Sequence, residues 1–323
     1  MKYFVTGATG FVGGVLARKL REQGHEVHAS VRSPEKAKDL DAIGVRLFKG
    51  DVTDKESMRA AMTGVDGVYH VAGWYKVGTK DKSGGEQVNI QGTRNVLELM
   101  QELKIPKGVY TSTLAINSDT QGKLADENYH FSGKHISEYD RTKAVAHEIA
   151  NEFIARGLPL VIVQPGLIYG PGDTSSVRTN LLDLLKGRLP MLPSKTGYSW
   201  AHVDDIVQGH MLAMEKGQAG QAYIICGEPY TAVEAFQLAS RVAGVRTPMT
   251  VPYQMMQVLS ALVWPFDAFL PESYTSEGLR VIGGVTYWGD NSKAKRELGY
   301  QPRPVREGWV ETVKHEMKLL GMS

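Results

Sequence analysis

TGATGFVGG, residues 6–14, stands between a short apolar run, YFVT at 3–6, and an amphipathic stretch over 11–23. Glycine permits a tight turn and lets the backbone approach a pyrophosphate. A helix N-terminus attracts that group through exposed amides and its dipole. Glycines at 7, 10 and 13, set between a strand and a helix, therefore predict a dinucleotide-binding turn. Thr9, Phe11 and Val12 belong to the same junction.

Outward from this turn, β-rich runs alternate with amphipathic stretches: EVHASV, a helix opening at Ser33-Pro34, VRLF, and a helix over 54–63. GVYHVA, a helix over 87–103, GVYTST, a helix over 138–156 and LVIVQP continue the series. That rhythm predicts βαβ units, an α/β fold with a doubly wound, Rossmann-type parallel sheet. Ser33 before Pro34 suits a helix cap, and Thr53 with Glu56 matches a capping box.

After PGLIYGPGD at 165–173 the alternation weakens, although strands near SWAHV and AYIIC should join or adjoin the sheet. The expected division is a dinucleotide-binding domain over 1–170, with returning segments about 198–227 and 290–323. A smaller, mostly helical C-terminal substrate lobe takes about 171–197 and 228–290. The run MMQVLSALVW at 255–264 is shorter than the about 20 residues a membrane span needs. It is expected to be a buried helix, or a hydrophobic lid over substrate.

Thirty-seven basic and 35 acidic residues leave a net charge of +2 with no basic cluster, which argues against nucleic acid as a partner. The single cysteine, Cys226, makes no intrachain disulfide and no thiolate metal site. No His/Cys/acid spacing predicts a metal. A cytoplasmic protein with a small-molecule substrate and no membrane partner is expected; the opening MKYFVTGATG carries no secretory pattern.

Where an acidic residue would bind the ribose of NAD at the end of the second strand, the chain reads Val31-Arg32-Ser33. Arg32, with Lys36 as a second contact, can instead pair with a 2′-phosphate, so NADP (NADPH) is expected over NAD. Tyr139 and Lys143, in YDRTK, lie four apart and share one helix face. A nearby ammonium and an oxidised nicotinamide should stabilise the phenolate of such a tyrosine, which otherwise titrates near pH 10. It can then give or take a proton.

The three-residue spacing of the glycines resembles the extended branch of the short-chain dehydrogenase/reductase family, whose motif reads TGxxGxxG. YDRTK, the hydroxyl-rich Thr111-Ser112-Thr113, PGLIYGPGD, HVDDI at 202–206 and DNSKAKRELGYQPRP at 290–304 extend the resemblance over nearly the whole chain. VRSPEK at 31–36 looks like the dihydroflavonol 4-reductase-like group of that branch. The resemblance implies that Thr113, or Ser112 beside it, orients a substrate oxygen, that Tyr139 transfers the proton, and that Lys143 holds the nicotinamide ribose. It also implies cofactor contacts at Asp51, Val52, Val71, Ala72, Gly73, Asn89, Thr111 and along Pro165-Gly166-Leu167-Ile168. A homodimer through the helices at 87–103 and 138–156 follows from the same likeness. QPGLIYGPGD also resembles a segment of nucleotide-sugar epimerases and dehydratases, with Gln164 in place of arginine; an NAD-dependent enzyme of that kind is the alternative. Substrate contacts are expected from Tyr75, Leu167, Ile168, Arg178, Trp200 and His202, by their position in variable loops and the second lobe.

Overall fold

The structure, a computed structural model, describes residues 1–322. Six strands open the chain: β1 (Lys2–Thr6), β2 (Glu26–Val31), β3 (Arg46–Lys49), β4 (Gly67–His70), β5 (Gly108–Thr111) and β6 (Leu160–Pro165). Short strands follow at β7 (Leu167–Tyr169), β8 (Met191–Pro193), β9 (Gly197–His202), β10 (Ala222–Ile225), β11 (Pro229–Thr231), β12 (Met249–Val251) and β13 (Thr286–Tyr287). The main sheet is parallel and runs β10-β6-β5-β4-β1-β2-β3. Its order reverses between β1 and β4, the switch point where α/β sheets open a crevice for ligands.

Helices α1 (Phe11–Glu22), α2 (Lys38–Ala42), α3 (Lys55–Met62), α4 (Gly92–Glu102) and α5 (Glu138–Ala155) accompany the first strands. Helices α6 (Ser176–Leu185), α7 (Val203–Lys216), α8 (Ala232–Ala243), α9 (Tyr253–Val263), α10 (Ser276–Val281), α11 (Ser292–Leu298) and α12 (Val305–Leu319) complete the chain. Neighbouring strand residues point to opposite faces, so Val5 packs with Leu16 and Ile206 on one side of the sheet. Phe4 packs with Val96 and Phe153 on the other. Both faces are covered, which explains why the strands read as continuous apolar runs rather than as alternations.

The segments expected to form the second lobe hold α6, α8, α9 and α10 with the pair β8–β12, α8 packing on β8 and α10 on α9. AYIIC joins the main sheet as edge strand β10. SWAHV only adjoins it, because β9 pairs with β7, β11 and β13 in a separate small sheet.

Local chemistry departs from the sequence reading at several points. Thr53 does not cap α3; Asp54 does, its carboxylate accepting the Ser57 amide, while Thr53 donates to Asp51. Ser33 makes no capping bond, and Pro34–Lys36 forms one 3-10 turn before α2. The helix foreseen over 87–103 is a wide π-helical turn, Gly85–Gln91, running into α4. The apolar run at 255–264 does form a helix, but only Met256 and Ser260 of α9 are buried. Among the described residues no helix is long and apolar enough to cross a membrane.

Candidate active site

The glycine turn is fixed by its own backbone. Gly7 sits at φ +72°, and a Cβ there would lie 2.9 Å from the Ala72 backbone. A Cβ on Gly13 would meet the Gly7 carbonyl at 2.2 Å. Gly10 precedes α1 with no side chain to cap it, and Thr9 and Gly10 are exposed, so the first amides of α1 face open space. That arrangement fits a pyrophosphate.

A buried network, absent from the sequence reading, holds the facing strand. The Thr6 hydroxyl accepts the amides of Val71 and Ala72, each at 3.0 Å, and lies 2.9 Å from Nδ1 of His70. Nε2 of His70 reaches the Thr93 hydroxyl at 3.1 Å. Burial lowers the His70 pKa to about 3, so the ring stays neutral and serves as a spacer rather than a charge. Val71 and Ala72 are thereby set opposite the glycine turn, with Gly73 exposed beyond them.

At the end of β2, Arg32 is 84% exposed and its guanidinium stands 4.0 Å from Asp51, too far for a hydrogen bond. Lys36 is exposed on the following turn. Asp51 accepts the Thr53 amide and hydroxyl, both at 2.9 Å, which orients it at the end of β3. Val52 is buried, its carbonyl taken by Asn95. Asn89 has a different place from that expected: its amide is engaged by Trp74 through both N–H and C=O, and by Thr142. It pins the 72–75 loop to α5, and its polar atoms are spent on protein.

Three consecutive hydroxyls end β5, and each has its own partner. Thr111 lies 2.9 Å from Nε2 of His210 on α7, whose Nδ1 donates to the Ile206 carbonyl. Ser112 is buried and turned to His147 on α5, at 2.8 Å. Thr113 accepts the Ala115 amide and lies near enough to Tyr139 to pull against the rise in the phenol's pKa, and both Thr113 and Tyr139 keep surface open to solvent. Of the two candidates, Thr113 is therefore the hydroxyl brought to the tyrosine, and Ser112 is not. His147 was legible in principle, since it lies four residues beyond Lys143 on the same helix face.

Lys143 is buried; its ammonium donates to the Thr111 carbonyl at 2.7 Å and to the Tyr110 hydroxyl at 3.2 Å. Burial pulls its pKa down to about 7. Tyr139 is pushed up to about 12, by burial first, with the Thr113 hydrogen bond acting in the opposite direction and the Asp140 carboxylate adding to the rise. The expected stabilisation of a phenolate is thus not supplied by the polypeptide: desolvation dominates, the Lys143 ammonium is turned to Thr111 and Tyr110, and the group is a phenol at neutral pH.

Two buried carboxylates fasten the first turn of α5 to the second lobe. Asp140 accepts the hydroxyls of Ser137 at 2.6 Å, Tyr287 at 3.1 Å and Ser118 at 3.3 Å; burial raises its pKa to about 6. Glu277 of α10 accepts the amides of Gly78 and Glu138 and the Lys82 ammonium. Sequence spacing gave no sign of either.

The remaining candidates divide. Tyr75 is exposed, with its hydroxyl 3.4 Å from that of Thr174, across the mouth between the 72–75 loop and the segment after β7. Pro165 ends β6, the Gly166 amide donates to the Ile225 carbonyl, and Leu167 and Ile168 begin β7, both half-buried. Three others do not reach the site. Trp200 is fully buried among Tyr169, Phe236 and Trp309, its indole donating to the Tyr230 carbonyl. Arg178 is clamped on buried Glu316 of α12 by two bonds of 2.8 and 3.0 Å. His202 caps α7, accepting the Asp204 amide, with its ring against Tyr169. His202, Asp204 and Glu311 approach one another as metal ligands would. Arg303 already bonds Glu311 at 2.9 Å and lies 3.6 Å from Asp204, so a guanidinium takes the place of a cation.

The family model for the NAD dependent epimerase/dehydratase family matches residues 3–226. The sterol demethylase protein B of Methylococcus capsulatus is 31% identical, covering 97% of this chain and 97% of its own length. A putative dihydroflavonol 4-reductase of Synechocystis is 31% identical over 96% of this chain and 93% of its length. The crystal structure of gox2253 superposes with a TM-score of 0.86 at 31% identity, covering 99% of both chains. A glycine turn at a parallel-sheet switch point, a Tyr–Lys pair on one helix and a match along almost the full length lead to one assignment: the chain belongs to the NAD-dependent epimerase/dehydratase family, within the extended short-chain dehydrogenase/reductases.

Proposed function

We propose that the chain is an NADP(H)-dependent oxidoreductase that interconverts a ketone or aldehyde with an alcohol on a small organic substrate. The observation that carries this reading is the meeting of Thr113, Tyr139 and Lys143 at the end of β5. The relative named a putative dihydroflavonol 4-reductase supports it. Gly7, Gly10 and Gly13 with the start of α1 would hold the pyrophosphate, and Arg32 with Lys36 the 2′-phosphate. The bound cofactor supplies hydride to the carbonyl carbon.

The residues of the chain do the rest. Thr113 orients the carbonyl oxygen, and Tyr139 donates its phenolic proton to that oxygen as negative charge develops there. A tyrosine pushed up to about 12 holds its proton at neutral pH and is suited to act as the acid. Lys143, which donates to the Thr111 carbonyl, would hold the ribose hydroxyls. A homodimer through α4 and α5 and a reducing, cytoplasmic setting belong to the same proposal; light scattering at micromolar concentration tests the dimer.

Fluorescence titration of NADPH and NADH against wild type and Arg32→Ala tests the cofactor. NADPH should bind more tightly, with the preference reduced about tenfold or more in the variant. Tight NAD that survives purification would overturn the reading in favour of nucleotide-sugar epimerisation or dehydration.

A further inference from the structure

Helix α9 is amphipathic the wrong way round for a core element. Met256 and Ser260 face inward, while Val258, Leu259 and Leu262 face solvent, Leu262 at 63% exposure. The apolar face continues past the helix through Trp264, 66% exposed, Phe266 and Phe269, 85% exposed. No charged residue occurs from Tyr253 to Phe266. Contiguous apolar surface of this kind marks an interaction site.

The rim identifies the partner. Lys195 lies over the Tyr253 ring, 4.9 Å from its centroid, at the first turn of α9. Exposed Lys76 and Lys80 flank Gly78, which packs against the Glu272 backbone just beyond the patch. Arg280 is exposed on α10, which packs against α9. The acids facing this rim are Asp81 beside Lys76 and Lys80, Asp267, bonded to Ser276 and near Arg280, and Glu272; Lys82 is already paired with Glu277. Lys76, Lys80, Lys195 and Arg280 thus outnumber them. A two-fold dimer through this face would bring two basic rims together, which opposes a second copy as the occupant. A tryptophan and phenylalanines inside a basic rim match the boundary of an anionic bilayer, and a helix this short lies in that boundary rather than crossing it.

We propose that the face formed by α9 and the Trp264–Phe269 segment docks on an anionic lipid bilayer surface. The docked face is joined to the catalytic helix through one element, since α10 accepts the Glu138 amide on Glu277, one residue before Tyr139. Docking requires no hydride transfer, so it stands or falls apart from the reductase reading.

Flotation of the full chain with phosphatidylcholine vesicles containing phosphatidylglycerol, against phosphatidylcholine alone, tests it. The chain should float with the anionic vesicles. The variant Leu262→Ser/Trp264→Ser/Phe266→Ser should lose binding by roughly tenfold or more, with an unchanged thermal midpoint. Replacing Lys76, Lys80 and Lys195 by Gln should weaken anionic binding by roughly fivefold per charge. Wild type failing to float, or variant and wild type floating equally, would overturn docking. A dimer in light scattering that the apolar substitutions dissolve, with no flotation of wild type, would instead assign the face to a second copy.

Discussion

The strand ends around β1 to β5 and the region of β9, α6 and α12 carry the same kinds of side chain and use them differently. Arg32, at the end of β2, stands exposed and beyond hydrogen-bond reach of Asp51. Arg178, on α6, spends its guanidinium on a buried glutamate. Tyr139 reaches an open hydroxyl, whereas Trp200 and His202 are packed against Tyr169. Residue type alone does not distinguish a ligand contact from a core anchor. The partner that the fold delivers does: Arg178 is given a buried glutamate, and Arg32 is given none within hydrogen-bond reach.

The contrast breaks first at Tyr139. Tyr139→Phe should lower kcat about 10²- to 10⁴-fold for any ketone the wild type reduces, with NADPH affinity retained. Equal turnover of variant and wild type would remove the tyrosine from the chemistry. The next largest effect concerns the histidines behind the site. His70 at about 3, and His147 and His210 at about 4, are held neutral by burial, well below their unfolded value near 6.5. Below that value the unfolded chain binds more protons than the folded one. Their contribution to stability is therefore complete above about pH 6.5 and is lost as pH falls towards 4. His202, lowered to about 4, adds to these rings, while Asp140, raised to about 6, and Glu127 and Asp173, both raised by burial, act oppositely between their unfolded values and their folded ones. Thermal unfolding should show a net loss of a few kcal/mol between pH 7 and 5; a flat profile would mean that the rings are solvated. The smallest effect separates the two arginines. Arg178→Ala should cost about 2–3 kcal/mol of stability by stranding Glu316, and leave kcat/KM unchanged. A large rise in KM would return Arg178 to the substrate site.

Much of the first half of the chain was legible because its signals are local. Glycine spacing specifies the turn, β-branched runs specify the strands, and the interval from Tyr139 to Lys143 specifies a shared helix face. Which hydroxyl of Thr111-Ser112-Thr113 serves the tyrosine was not legible, since it depends on how β5 sits against α5 and α7. Asn89 read as a cofactor contact because a buried pin and a ligand contact use the same amide. The run at 255–264 read as a buried helix or a lid over substrate from its composition, yet burial also requires something to cover it, and no local pattern records that. Asp140 and Glu277 lie in ordinary polar stretches, and only the meeting of α5, α10 and β13 gives them their roles.

Those two carboxylates also decide how the enzyme moves. Asp140 and Glu277 rivet the second lobe to the first turn of the catalytic helix through Tyr287, Gly78 and Glu138. Swinging the lobe outward would strip donors from two buried acids, at a cost of several kcal/mol. The lobe is consequently no hinged door. On the proposed reading, substrate would enter past the Tyr75 and Thr174 side chains, on the timescale of rotamers and loops rather than of domains.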